Sequence, residues 1–125
     1  MPSVLSSQNK LKSKKTIDLL FAKGKCLKGS GYSLVYIGQV NKSANGLRVG
    51  FSVGKKNQAL AVDRNKTKRL MREAFRACAK DFLDITKVHY NIMFVCAEKS
   101  PPDFRVLLDK IKFLLLSFSE AIKNV

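Results

Sequence analysis

Between Ala61 and Arg76 the chain reads Ala-Val-Asp-Arg-Asn-Lys-Thr-Lys-Arg-Leu-Met-Arg-Glu-Ala-Phe-Arg, and this segment restricts the possible folds most. Thr67, Leu70, Met71, Ala74, Phe75 and Cys78 recur at the three- and four-residue spacing of a core-facing helical stripe. Arg64, Lys68, Arg72 and Arg76 follow one another every four residues and stack along the adjoining side. Like charges so placed repel, at a few tenths of a kcal/mol per pair. A solvated helix face usually mixes signs to gain ion pairs, whereas here Glu73 is the only acid inside the row. A cost accepted so often points to a polyanion, and nucleic acid is favoured over a plain solvated face.

The whole chain has the same bias. Its 24 Lys+Arg against 9 Asp+Glu give a net charge of +15 over 125 residues, a field that attracts phosphate backbones and makes binding salt-dependent. An apolar share of 46% argues for one folded domain spanning residues 1–125 rather than disorder. Residues 1–10, extending to about 12, read as a flexible basic tail. Anionic membrane would also answer to the charge, but Met1–Lys10 has no apolar core, no lipid anchor is visible, and the longest apolar run is Ile92–Ala97. The expected setting is the cytoplasm, with no membrane partner. Cys26, Cys78 and Cys96 are widely spaced, without a Cys-x-x-Cys pair, so neither disulfide nor zinc is expected; Cys78 and Cys96 read as small core residues. His89, the one histidine, has no partners arranged for chemistry.

Ser13 is placed to cap a helix running to about Lys23, with Gly24 as its stop and Ile17, Leu20 and Phe21 on one face. The lysine-rich stretch Lys23–Ser30 suits a short edge strand. Tyr32–Val40 and Leu47–Val53 read as strands, with Asn45-Gly46 a turn signal between them. Gly54–Gln58 is a polar loop before the basic helix, which is expected to extend from near Ala61 or Asp63 to about Phe82. Tyr90–Ala97 is nearly all apolar and predicts a central strand covered on both faces. Ser100-Pro101-Pro102-Asp103 predicts a helix start with Ser100 as cap, and Phe104, Leu107, Leu108, Ile111, Leu114, Leu115, Phe118 and Ile122 form a broad apolar face behind it. The expected fold is an α+β (α/β) sandwich, a sheet of about four strands with three helices.

The run Ala61-Val62-Asp63-Arg64-Asn65-Lys66-Thr67-Lys68-Arg69-Leu70-Met71-Arg72-Glu73 resembles the Ala-Val-x-Arg-Asn-x-x-Lys-Arg-x-x-Arg-Glu signature of the bacterial ribonuclease P protein family at every fixed position. Phe75 and Arg76, the strand Leu47–Val53, the Lys55-Lys56 pair and the stretch Leu11–Gly24 are similar as well. Three departures are visible. Lys66 stands where the family often has Arg, Ile17 where many members have an aromatic, and the loop Asn57-Gln58-Ala59-Leu60 lacks the usual glycine and is one residue longer.

The resemblance implies a small mixed, ribosomal-protein-like sheet with a left-handed βαβ crossover. It also implies a role as the RNA-binding subunit of ribonuclease P, the ribonucleoprotein endonuclease that removes the 5′ leader from precursor tRNA. The large RNA would carry the phosphodiester hydrolysis, using Mg2+ that it binds mainly itself, so no catalytic residue and no metal ligand are expected in the protein. The expected partners are the ribonuclease P RNA, in a 1:1 complex with a monomeric protein, and precursor tRNA. Contacts to the catalytic RNA are expected from Arg64, Asn65, Lys66, Lys68, Arg69, Arg72, Arg76, Lys55 and Lys56. The leader surface is expected from Phe21, Ile17, Tyr36, Tyr32, Lys12, Lys14 and Lys15, since single strands take aromatic platforms in a positive groove. The alternatives are a non-enzymatic RNA-binding protein, such as a ribosomal or chaperone component, and a protein nuclease acting alone, for which no catalytic residues are visible.

Overall fold

The first helix starts where the sequence places it: the Ser13 hydroxyl accepts a hydrogen bond from the Thr16 amide at 3.3 Å, and α1 runs Lys14–Lys23. The computed structural model describes residues 9–42 and 46–123. After α1 come β1 (Lys25–Lys28), β2 (Tyr32–Gly38), β3 (Arg48–Val53), α2 (Ala61–Cys78), β4 (Tyr90–Cys96) and α3 (Phe104–Lys123), with short 3-10 turns at Ala79–Asp81 and Ile85–Lys87. The result is the expected α+β arrangement of three helices on a four-stranded mixed sheet.

Strand order is β1-β2-β4-β3. β1 pairs with β2 and β2 with β4 antiparallel, whereas β3 and β4 are parallel neighbours joined through α2. β4, the most apolar segment, is therefore central. Alternation sends Tyr32, Leu34, Tyr36, Ile92, Phe94 and Cys96 to the face under α2 and α3, which bury Met71, Phe75, Leu107, Ile111, Leu114 and Phe118 against them. The opposite face is half covered by α1, where Leu20 and Leu11 meet Val35 and Met93.

Several local expectations change. Gly24 does end α1, as expected, its amide donating to Leu20 O, but in an extended conformation with φ −72°. Glycine is needed there for close approach, because a Cβ would collide with the Leu20 carbonyl. Gly46 does take a positive φ of 79°, and a Cβ there would strike Ile85 O; Asn45, the other half of the expected turn, lies outside the described residues. α3 is capped by Asp103, not Ser100: its carboxylate accepts from the Val106 amide at 3.4 Å and its carbonyl from the Leu107 amide at 3.0 Å. The residue before a proline is disfavoured in helical conformation, so Pro101-Pro102 delays the start. The basic helix ends as α-helix at Cys78 and tightens into the 3-10 turn before Phe82.

The N-terminal segment differs most from expectation. Residues 1–8 of the expected tail lie outside the described residues, but Asn9–Leu11 are docked along the outer edge of β3. Leu11 N donates to Val49 O at 3.1 Å, Lys10 bridges to Val49 in parallel, and the Asn9 side-chain amide donates to Leu47 O at 2.7 Å. Backbone polar groups at a sheet edge need partners, and this segment supplies them.

Candidate nucleic-acid interface

The apolar stripe of α2 is seated as predicted: Thr67, Met71, Ala74, Phe75 and Cys78 are buried and Leu70 partly so. That docking turns the cation row outward along the edge of β3. Arg72 is held over the Phe51 ring, 5.8 Å from its centroid. Phe51 in turn stacks on Phe94 with centroids 5.7 Å apart. A cation–π contact of this kind contributes about 0.5–1 kcal/mol and fixes where the guanidinium points.

Between α2 and the docked N-terminal segment runs an open groove of about 500 Å³. Its walls are Asn9, Lys10, Leu11 and Lys12 on one side and Lys68, Arg72 and Arg76 on the other, with Val49, Gly50 and Phe51 as floor. Five cations therefore line one concavity with no carboxylate among them. Among the described residues the single ion pair is Lys110–Glu98, at 3.3 Å and away from this groove. Among the described residues, then, no α2 cation is held in an ion pair.

Lys10 was missed by sequence reasoning, and Lys12, expected beside Phe21, stands here instead. The only signal was their shared membership of a basic N-terminal run, which does not say where that run lies. Asn65, Lys66 and Arg69 are exposed on α2 but do not line the groove.

Arg64 has a different environment from the rest of the row. Its Nη1 donates to Gln58 O at 2.9 Å and Ala59 O at 2.8 Å, clamping the approach loop to the helix. In that loop Asn57 N and Gln58 N both donate to Gly54 O at 3.1 Å. The closed turn presents Lys55 and Lys56 exposed at its tip.

The aromatic candidates separate. Phe21 is 50% exposed on α1, with Ile17 partly buried against the sheet and Lys14 and Lys15 exposed in the first turn of that helix. Tyr32 and Tyr36 do not join them. They are 3% and 9% exposed on the opposite face, where Tyr36 meets the Phe118 ring edge-on at 5.2 Å and Lys110 lies 5.3 Å above the Tyr32 ring. The reason is the two-residue period of a strand: with fully buried Leu34 between them, both rings face α3. The face α1 half covers instead presents a cross-strand row of Lys28, Ser33, Val95 and Ser52, all at least partly exposed.

Cys78 and Cys96 are buried and Cys26 is exposed, all three free. Burial pushes the Cys78 thiol up to about 11 and raises Cys96 as well. Desolvation likewise raises the Tyr32 hydroxyl. Asp84 is lowered by hydrogen bonds from the Thr86 hydroxyl and amide. Among the described residues no three His, Cys, Asp or Glu side chains come together as a metal site, and no helix is long and apolar enough to cross a membrane.

Comparison with known proteins gives one answer. The family model described as Ribonuclease P matches residues 5–118. The ribonuclease P protein component of Chlorobium phaeobacteroides is 33% identical over 118 residues, spanning 84% of this chain and 81% of that protein. Its counterpart from a Pseudanabaena species is 30% identical over 112 residues, 90% of this chain and 92% of that protein. In fold, the chain is similar to the RNase P protein from Thermotoga maritima, with TM-score 0.70, 24% identity and coverage of 86% and 96%. The Staphylococcus aureus RNase P protein gives TM-score 0.69 at 22% identity, covering 86% and 92%.

Proposed function

Because this chain belongs to the ribonuclease P protein family and is a subunit of that tRNA-processing endoribonuclease, we propose that its cationic groove is where the enzyme's RNA docks. The observation that carries this reading is the meeting of Lys68, Arg72 and Arg76 with Lys10 and Lys12 around one concavity lined by no acid. A phosphate backbone laid there releases condensed counterions, which supplies affinity without base readout. Asn65, Lys66 and Arg69 extend the same surface along α2, and Lys55 and Lys56 add its approach turn. Arg64 contributes chiefly by holding that turn.

The 5′ leader of precursor tRNA lies, in this reading, on the other face of the sheet. Phe21 offers an exposed ring for a base, Ile17 the apolar shoulder, and Lys14, Lys15 and Lys28 the charge. Ser33 and Ser52 provide hydroxyls across the sheet. Tyr32 and Tyr36 have no part in it. The RNA carries the hydrolysis and binds the Mg2+; the protein is a monomer in a 1:1 complex, working in the cytoplasm. Its cations screen the repulsion between two polyanions, the catalytic RNA and its substrate, and so lower the magnesium needed to bring them together.

The test is cleavage of precursor tRNA by a bacterial ribonuclease P RNA at low magnesium, with and without this protein. The expected result is protein-dependent cleavage at the mature 5′ end and none by protein alone. Tight RNA binding without any effect on cleavage would point instead to a general RNA-binding role.

A further inference from the structure

Gln58 is a buried polar residue in the loop that leads from β3 into α2. It is 2% exposed, and both ends of its amide are engaged. Nε2 donates to the Glu98 carbonyl at 3.1 Å, and Oε1 accepts from the Thr67 hydroxyl at 2.9 Å. Its backbone carbonyl takes the Arg64 guanidinium at 2.9 Å, and its backbone amide closes the turn onto Gly54.

One side chain therefore joins three parts: the turn bearing Lys55 and Lys56, the middle of α2, and the connection from β4 to α3. Thr67 belongs to the buried stripe of α2, so the bond from its hydroxyl refers the turn to the core and not to a mobile surface. A buried amide satisfied at both ends tolerates one geometry, because any displacement strands a polar atom.

We infer that Gln58 is a positioning residue for RNA binding: it holds Lys55 and Lys56 at a fixed distance from the α2 cations, so that turn and helix meet one phosphate backbone in register. This rests on the reading of the turn as RNA-facing. A lysine pair on a loose turn would have to be ordered on binding and would lose affinity by that amount. The amide itself touches no RNA.

The experiment is RNA binding by the full chain to ribonuclease P RNA across a salt series, for wild type, Gln58→Leu, Lys55→Ala/Lys56→Ala and the triple variant, each with a thermal melt. Removing the lysine pair is expected to reduce the salt slope by about two, one per phosphate contact. Gln58→Leu should reduce it by about one and weaken binding about fivefold at fixed salt. The triple variant should bind no more weakly than the lysine-pair variant. Should Gln58→Leu not fold, Thr67→Val removes one of the two side-chain bonds at constant shape and should move the slope in the same direction. A Gln58→Leu or Thr67→Val protein that melts lower yet keeps wild-type affinity and slope would overturn the inference. So would a triple variant carrying the full product of both losses. A lysine-pair variant with wild-type slope is a separate failure, overturning the RNA-facing reading of the turn and with it this inference.

Discussion

Replacing Lys10 and Lys12 together with alanine tests the groove at the wall that only the folded chain reveals. Both side chains are exposed while their backbone is pinned to β3 through Leu11 N and the Asn9 amide, so the segment stays docked. Surface changes of this kind shift stability by no more than about 0.5 kcal/mol, roughly 2 °C in Tm for a chain of this size. Binding should respond far more. Five groove cations on five phosphates, at about −0.8 in log affinity per log salt each, give a slope of about −4. Affinity then falls about 250-fold between 50 and 200 mM salt. With three cations left the slope is about −2.4 and the fall about 30-fold. Contacts outside the groove add equally to both proteins and cancel, so the double variant should be about ninefold less salt-sensitive. Filter binding or fluorescence anisotropy with ribonuclease P RNA over that range measures it directly. An unchanged slope with an unchanged melt would mean that the segment merely covers a sheet edge, and the groove would lose its claim to the RNA.

Arg64→Ala should act first on stability, losing two charge-assisted bonds to carbonyls and about 1.5 kcal/mol, or roughly 5 °C in Tm; a melt within 1 °C of wild type would contradict the clamp. Phe21→Ala should leave the melt nearly unchanged. It should weaken holoenzyme binding of precursor tRNA about fivefold or more while sparing mature tRNA, and equal losses on both would remove Phe21 from the leader surface. The Cys78 thiol, lifted to about 11 by burial, stays protonated in the fold at pH values where the unfolded chain ionises. Its contribution to stability is whole below the ordinary thiol range of about 8.5 and declines as pH rises from there toward 11. Urea midpoints at pH 7 to 10 should fall with pH, less so in Cys78→Ala; midpoints that rise, or fall equally in both, would refute the assignment.

What could be read from the residues alone follows from what periodicity encodes. The stripe from Thr67 to Cys78 and its flanking cations were legible because helical spacing fixes both which side is buried and which side lies next to it. Strand β2 was less so. Tyr32, Leu34 and Tyr36 alternate with Ser33, Val35 and Ile37, and both sets are apolar enough to be buried. The pattern therefore says which residues share a face but not which helix covers it, and the tyrosines were expected on the wrong side. Docking of Asn9–Leu11 depends on a sheet edge some forty residues away, and local sequence does not encode such a partner. Gln58 looked like one more polar loop residue; only the fold brings Thr67 and the Glu98 carbonyl to its two ends. The Ser100 cap fails for a local reason: the second proline holds Pro101 out of helical conformation, and the start moves to Asp103.

Insertion of β4 between β2 and β3 sets a timetable for the nascent chain. A polypeptide halted before Tyr90 already contains every cation of the groove, yet the strand that forms its floor has no sheet neighbour among β1 and β2, and α2 has no central layer to lie on. Such a chain carries the cations and the apolar stripe of α2 without the layer that buries the stripe and sets the cations in place. The groove in its folded form needs β4 zipped between β2 and β3, so its floor and its helical wall are set late in synthesis and together with the rest of the fold.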